Sequence, residues 1–492
     1  MKRRLPTQTP VVACPSLRRR SVVVALLVLG CVAITLGAEV LIDVPPRNLA
    51  PYVARRLAGH HPLLVELGGW FSRALTVLDR GESRAAIREP LRIGAQPESG
   101  AVPAGMQVPV NTSDDALQAI SRARPGDVIT MQPGTYRFVN APIEVSRWGT
   151  SAAPITLRAE RPGSVLLEFL TTEGFRVSAP YWRFENLAIR GACLQDSDCE
   201  HAFHVVGDAA HFVARNNTLT DFNAHFKING DRGHFPDHGL IEGNTISNVA
   251  VRATDNPVTT IDLVGASHWT IRDNLIADFV KGQGDGISYG AFAKGAGSDN
   301  HFQGNIVICE LLLRGAPGQR VGLSLGGGGT GPDYCRDGRC ITEQDESVIE
   351  SNLIASCSDD GVYLNQSTAS KVLHNTIIDT GGVSVRFAES TAEIEGNLVD
   401  GAVRSRDAGI IHGDDNMQTS LLWLYVGRHP MRDLYRDASA LDFGWRGDVP
   451  RRVSQGPASP DLCGATRPRL AAYGAFEDFS ACSNSKAKGR VP

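Results

Sequence analysis

From Asn111 onward the chain alternates short Val, Ile and Leu runs with Asn, Asp and Gly, the punctuation of short strands rather than the period of helices. The segments FENLAI, RNNTLT, EGNTIS, RDNLIA, QGNIVI, ESNLIA, LHNTII and EGNLVD place an Asn before an apolar pair at Asn186, Asn217, Asn244, Asn274, Asn305, Asn352, Asn375 and Asn397. Their spacings run from 22 to 31 residues, apart from one of 47 that holds a long insertion between Gly315 and Glu343. Coils of a β-helix have these lengths. At a bend between strands each Asn amide can bond its equivalents one coil above and below, which predicts a continuous ladder.

A second strand recurs in the same coils as AFHVV, HFKIN, TIDLV, GISYG, GLSLG, GVYLN and GVSVR. Alternation puts Phe203, Phe226, Ile261, Ile287, Leu323, Val362 and Val383 inside and sends His204, Lys227, Asp262, Ser288, Ser324, Tyr363 and Ser384 outward. Flanking outward positions add His225, Asn229, Asn365 and Arg386. The predicted fold is all-β, a right-handed parallel β-helix (solenoid) of about nine to eleven coils over residues 111–445. A C-terminal cap and tail occupy 446–492, with the closing segment at Asp461–Glu477.

A different pattern precedes the solenoid. Residues 1–20 form a basic stretch with Lys2, Arg3, Arg4 and Arg18 to Arg20, and Ser21 to Ala38 is an uncharged apolar run close to bilayer length. This predicts an N-terminal transmembrane helix, a signal anchor over 21–42. Val28-Leu29-Gly30-Cys31 also passes as a lipobox, and Leu36 with Ala38 as a cleavage site, so lipoprotein and cleaved signal peptide stay open. All three place the β-helix outside the cytoplasm, membrane-anchored or secreted. Residues 43–110 read as a short helical juxtamembrane segment and linker. Val53, Leu57, Leu63, Leu64, Leu67, Phe71, Leu75 and Leu78 predict one or two amphipathic helices broken near Gly59–Pro62, and 90–109 is rich in Pro, Gly and Ala.

Composition narrows the function classes. A net charge of −4, without a basic stripe beyond the N-terminus, excludes a nucleic-acid partner. Eight cysteines follow the apolar run, an even number that suits export. Cys193/Cys199 and Cys335/Cys340 stand at loop-closing spacing, and Cys309/Cys357 with Cys463/Cys482 would complete a set whose connectivity the sequence leaves open. No Cys-x-x-Cys or His-x-x-x-His spacing points to zinc.

ALQAISRARPGDVITMQPGTYRF and PIEVSRWGTSAAPITLRAERPG, within Ala116–Gly163, resemble the opening coils of the chondroitinase-B and alginate lyase family of polysaccharide lyases. The turns Pro125-Gly126-Asp127 and Pro133-Gly134-Thr135-Tyr136 carry the resemblance, so it speaks to fold rather than catalysis. It implies an acidic polysaccharide partner, a Lys and an Arg on neighbouring coils that carry elimination, and a calcium held by Asn and two Glu. The corresponding coil runs from Gly284 to Asn305. Lys294 matches the family Lys only with two residues inserted after it, and Arg314 lies near the family Arg but out of register. The Glu pair is missing and only Asp285 stands close, so no cofactor is assigned and calcium stays open.

Uronate β-elimination needs a cation against the carboxylate, to acidify the adjacent C–H, and a base within reach of that proton. The catalytic candidates are Lys227, His225, Lys294 and Arg314, with Tyr363 behind them. The substrate-binding candidates are His204, Asp262, Asn229, Asn365 and Arg386. Any parallel β-helix also shows a polar outer column, so the pattern alone does not make a site. Asp359-Asp360 is similar to the paired aspartates of polygalacturonase-type hydrolases, but the Gly-His-Gly and Arg-x-Lys segments of that family are absent. With Asp285 these residues are therefore the metal candidates, or turn residues. Gly326 to Gly329 lacks the Lys-Ser/Thr of a phosphate loop and reads as a place of close backbone approach. The favoured function is a lyase acting on an acidic, uronate-containing glycan. A non-catalytic glycan-binding or surface-assembly protein and a uronate C5-epimerase are the alternatives.

Overall fold

The computed structural model describes residues 44–81, 91–98, 103–327, 329–454 and 459–483. The chain divides into residues 1–44 and 45–492, and the description below concerns the second unit. The basic stretch and the apolar run at 21–42 lie outside the described residues. Among the described ones, no helix is long and apolar enough to cross a membrane.

Among the described residues, three parallel sheets of 12, 10 and 11 strands run along a solenoid. Each coil contributes one short strand to each sheet, and equivalent strands pair in register, as Phe203 with Phe226 and Phe226 with Ile261. The inward column begins with Ile143 and runs through Phe175, Phe203 and Phe226, whose rings stack 5.2 Å apart at each step. It continues through Ile261, Leu323, Val362 and Val383, all fully buried. One coil departs from expectation. Ile287–Lys294 is an eight-residue strand, and Ala291 rather than Ile287 pairs with Ile261. Phe292 therefore stands beside Asp262 in the outward column, while Ser288 is buried level with Val258.

The Asn ladder is present. Nδ2 of Asn217, Asn244, Asn274, Asn305, Asn352 and Asn375 each donates to Oδ1 of the next Asn at 3.0 Å. Asn397 carries the chain on to Asn416 at 2.8 Å. Asn186 is displaced by one position, with a left-handed backbone (φ 64°), and accepts from Asn216 rather than Asn217. Asn305→Ala removes acceptors from the buried N–H groups of Asn274 and is expected to cost about 1–3 kcal/mol. Thermal unfolding would register that as a lowered Tm with the same m-value in urea.

Ala116 and Ile120 of the helix Ser113–Arg122 are buried in the first coil, and Thr112 caps the helix by accepting from Asp115 N at 3.1 Å. The solenoid ends at Met417–Gln418, short of the expected boundary at 445, and the chain beyond it lies along a side rather than only across the end. Met431, Tyr435, Phe443 and Phe476 pack along the outside of the 11-stranded sheet against Ile306, Ile308, Leu353 and Ala355. Within Asp461–Glu477, Gly474 donates to Gly396 O and Ala475 to Thr376 Oγ1, both at 2.8 Å. The reason lies in those strands, which are apolar on both faces and need cover on the outside. Residues 91–98 of the expected linker are tethered in the same way, Gly94 N to Asp273 O at 2.8 Å and Gln96 N to Asn216 Oδ1 at 2.6 Å. Among the described residues four disulfides join Cys193–Cys199, Cys309–Cys357, Cys335–Cys340 and Cys463–Cys482.

Among the described residues two helices precede the solenoid, α1 (Pro46–Leu57) and α2 (Pro62–Arg80). They break where Gly59–Pro62 predicts, and they meet where a Cβ on Gly68 would come within 2.4 Å of Leu57 Cδ1. Their attachment to the solenoid is ionic. Arg47 binds Asp79 through Nε at 3.1 Å and Asp379 at 3.3 Å, Arg80 binds Glu310 at 3.2 Å, and Arg47 Nη1 donates to Cys357 O at 2.7 Å. Of the predicted apolar stripe on α2, Leu75 is buried, whereas Leu63, Leu64, Leu67, Phe71 and Leu78 are exposed.

Candidate active site

The outward face of the 10-stranded sheet gathers charged groups over four neighbouring strands, β1 (Glu173–Val177), β2 (His201–Val206), β3 (Ala224–Asn229) and β4 (Val258–Val264). Register alone brings them together. Arg176, His204, Lys227 and Asp262 occupy one level across the strands, and Glu173 and His201 share another. Strands lie about 4.8 Å apart, so long side chains at one level touch.

His204 Nδ1 lies 2.8 Å from Glu173 Oε1, and its Nε2 lies 2.9 Å from Asn229 Oδ1. Asn229 is oriented by its own donation to Gly230 O at 2.9 Å, so its oxygen faces the ring. Both ring nitrogens thus lie within hydrogen-bond reach of an oxygen, which fixes the plane of the ring. The hydrogen bond from His204 holds the Glu173 carboxyl below its usual range against the effect of burial. Lys227 Nζ binds Asp262 Oδ2 at 2.7 Å and remains 24% exposed, whereas Asp262 Oδ1 is buried without a hydrogen-bond partner among the described residues.

His201 contrasts with His204. Burial, with His204 and Lys227 nearby, pushes its ring down to about 4, so it is neutral at pH 7. Its Nδ1 has no partner among the described residues, and its ring centroid lies 5.4 Å from that of His204. Burial and Glu173 raise the neighbouring Glu200 carboxyl, which accepts from Asn256 Nδ2 at 2.6 Å. One strip of sheet therefore holds the neutral His201 imidazole beside a second imidazole bonded to Glu173 and an ammonium paired with Asp262.

Loops wall this strip on both sides. On the N-terminal side of the strands, Arg252 binds Asp196 at 2.9 Å and Asn223 at 3.0 Å, tying 248–257 to the Cys193–Cys199 loop. On the other side the long insertion folds back. Arg336, inside the Cys335–Cys340 loop, binds Asp237 at 2.8 Å and stacks on Phe235. Gly326 in that insertion faces the carbonyl of Asn365 so closely that a Cβ would lie 1.8 Å from the oxygen.

The sequence candidates separate accordingly. Lys227, Asp262, His204 and Asn229 converge. Lys294, at the C-terminal end of the strand Ile287–Lys294, places its ammonium 4.6 Å from the Phe292 ring centroid, one strand beyond Asp262. Tyr363 and Arg386, joined at 3.4 Å, lie on the same face but further along. Four strand spacings put Tyr363 about 19 Å from Lys227. Asn365 is buried. His225 is not outward in effect: it is fully covered, faces Ser247 O at 3.3 Å, and is pushed down to about 3 by burial and Arg252. Arg314 leaves the face altogether, binding Asp379 at 2.6 Å and Arg80 O at 3.0 Å where α2 docks.

The metal candidates do not fit a calcium site. Asp285 pairs with Lys281 at 2.8 Å, Asp359 accepts from Asn48 and Gln319 at 2.8 and 3.0 Å, and buried Asp360 binds Arg404 at 2.8 Å. Burial holds the Asp360 carboxyl above the usual range even beside Arg404. Among the described residues no three acidic, His or Cys side chains converge as a metal-binding group. The same partners account for Asp359 and Asp360 without a hydrolytic role.

Glu173, His201 and Glu200 were missed. They precede or begin strands, where an alternation pattern read from the apolar core gives no weight to polar residues; only the register links them to Lys227.

The Chondroitinase B family matches residues 110–278, a span that holds every residue of this cluster. The likeness is to a polysaccharide lyase. A second match, described as right handed beta helix region, covers residues 333–421 and agrees on the hand of the coil. No curated protein matches the chain significantly in sequence. Among solved structures, pectate lyase Pel9A is 12% identical with a TM-score of 0.49, over 73% of this chain and 90% of that one. An alginate lyase from Paenibacillus sp. str. FPU-7 is 15% identical with a TM-score of 0.38, over 63% and 99%. The mannuronan C-5 epimerase AlgE4 A-module from Azotobacter vinelandii is 14% identical, also with a TM-score of 0.38, over 65% and 93%. Overlaps of this extent and identity say nothing about chemistry.

Proposed function

We propose that the chain is an exported β-helix lyase that cleaves an acidic, uronate-containing polysaccharide by β-elimination on the face between Glu173 and Asp262. The observation that carries the reading is the neutral His201 beside His204 and the Lys227 ammonium, inside the span that matches Chondroitinase B. Lys227 and His204 would meet the uronate carboxylate and stabilise the charge that grows on it as the C5 proton leaves. His201 would take that proton. The freed electron pair forms the C4=C5 double bond, the C4–O bond breaks, and the imidazolium returns the proton to the departing oxygen. Asp262 is the counter-charge of Lys227 and Asn229 orients the His204 ring, and Lys294, Tyr363 and Arg386 extend the polar face for further sugar units.

The test is absorbance of unsaturated uronate during incubation of the full chain with alginate, pectate, chondroitin and dermatan. Growth of the signal on one polymer, with its loss in His201→Gln, supports the assignment; silence on every uronate sinks it. The two alternatives are read in the same tubes, since an epimerase exchanges solvent deuterium without cleavage and a glycan-binding protein does neither.

A pH prediction follows. His201 works only unprotonated, so kcat/KM should fall as pH drops through about 4 and stay level from there toward neutrality on this group's account. Stability moves with it: the unfolded ring titrates near 6.5, so the fold loses stability between that value and about 4 as protons bind the unfolded chain. A pH–rate profile whose acid limb lies near 6.5 would remove His201 from the base role.

A further inference from the structure

The helices α1 and α2 show to solvent what a helix pair ordinarily hides. Leu63, Leu67, Trp70 and Val77 recur at i, i+4, i+7 and i+14 along one side of α2, with Leu64 and Phe71 beside them. All six are exposed, Trp70 at 64%. The opposite side carries Asp79 and Arg80 into the ion network with Arg47, Asp379 and Glu310. An amphipathic helix normally turns its apolar stripe to the core and its charges to water; here the solenoid takes the charges, and the stripe faces out. A contiguous apolar patch of this kind marks a surface that something covers.

Two observations say what covers it. The exposed charge on the pair is basic, Arg55, Arg56 and Arg73 against Glu66 alone. Directly upstream in the sequence, a few residues before Pro45, ends the uncharged run Ser21–Ala38 with Arg18 to Arg20 before it. A helix with Trp, Phe and Leu on one side and Arg at its flanks, following an apolar segment of near-bilayer length, has the composition of an interfacial helix.

We infer that the outer side of α2 rests on the surface of an anionic lipid bilayer. Leu63, Leu67, Trp70 and Val77 enter the boundary between headgroups and acyl chains, and Arg55, Arg56 and Arg73 meet lipid phosphates. The buried ion network then fixes the solenoid to a helix pair that lies in the membrane plane. This holds whatever chemistry the outward face of the 10-stranded sheet performs.

The test uses the full-length protein in vesicles of phosphatidylcholine and phosphatidylglycerol at a roughly 3:1 ratio, with brominated acyl chains. The expected result is tryptophan emission quenched by the bromolipid, with most of that quenchable part lost in Trp70→Phe. Iodide should fail to reach Trp70 while still quenching Trp148, which is 61% exposed elsewhere on the chain. A Trp70 component quenched by iodide and untouched by bromolipid overturns the proposal. Shielding of Trp70 from both quenchers means that protein covers the stripe and overturns it equally.

Discussion

Lys227→Ala is expected to lower turnover of the responsive polysaccharide roughly 10²- to 10³-fold, the usual cost of removing one preorganised group that stabilises a developing anion. The loss should fall on kcat, because the charge that Lys227 meets is greatest once the C5 proton has moved. Truncation also strands Asp262, whose carboxylate is nearly buried and whose bond to Lys227 is 2.7 Å. A control is therefore needed. Asp262→Asn keeps the ammonium and removes the counter-charge, and Lys227→Ala with Asp262→Asn removes both without an orphaned carboxylate. If Lys227 acts on substrate, the double variant stays folded and stays slow, while Asp262→Asn alone retains most of its turnover. Lys227→Ala within about a factor of three of the parent, under 1 kcal/mol of transition-state stabilisation, would make the ion pair architectural.

Asp379→Ala is expected to cost about 3–5 kcal/mol, the range for breaking a buried ion group by removing one partner. Asp379 is the shared acceptor of Arg314 at 2.6 Å and Arg47 at 3.3 Å, with Arg432 and Arg80 at 3.6 and 3.8 Å. Burial alone would raise its carboxyl, but those four guanidinium groups outweigh it and hold it at about 2. Its folded value is depressed, so its contribution is fully present above the unfolded value near 3.9 and is lost as pH falls through about 2. In the variant Arg47 keeps Asp79, whereas Arg314 loses its only carboxylate partner among the described residues. Hydrogen exchange should show α1 and α2 opening before the coils do, and urea unfolding should show a separate early transition. An unchanged urea midpoint would mean that packing, and not charge, holds the pair.

Much of the solenoid was legible because its signal is repetitive. Each Asn of the ladder is read against its neighbours one coil away, and the inward Phe203, Phe226, Leu323, Val362 and Val383 obey a period of two that short strands cannot violate without burying charge. The failures share a cause. The strand Ile287–Lys294 is longer than its neighbours, so a frame anchored at its first residues put Ser288 where Phe292 stands. His225 keeps the outward parity, but the segment that carries Arg252 covers it, and the length of a coil does not reveal how its loop folds. Arg314 and the Asp359-Asp360 pair look like chemistry as isolated residues but have partners 40 to 311 residues away. The C-terminal segment reads as an end cap in the sequence, but its place along a side follows from the apolar outer strands it covers.

The order of residues by itself determined the coil, its period, its Asn corner and the break between α1 and α2, because each depends on neighbours in sequence or on an identical position one repeat away. Only the tertiary structure decided which polar side chains meet. Glu173, His201, His204, Lys227 and Asp262 come from four coils, and their protonation states and ion pairs arise from strand register and from the loops that remove water, neither of which a single strand encodes. The same holds for α2, whose apolar stripe was plain in the sequence. That the stripe faces outward was settled by Asp379 and Glu310, charges carried by distant coils that draw the helix in by its polar side.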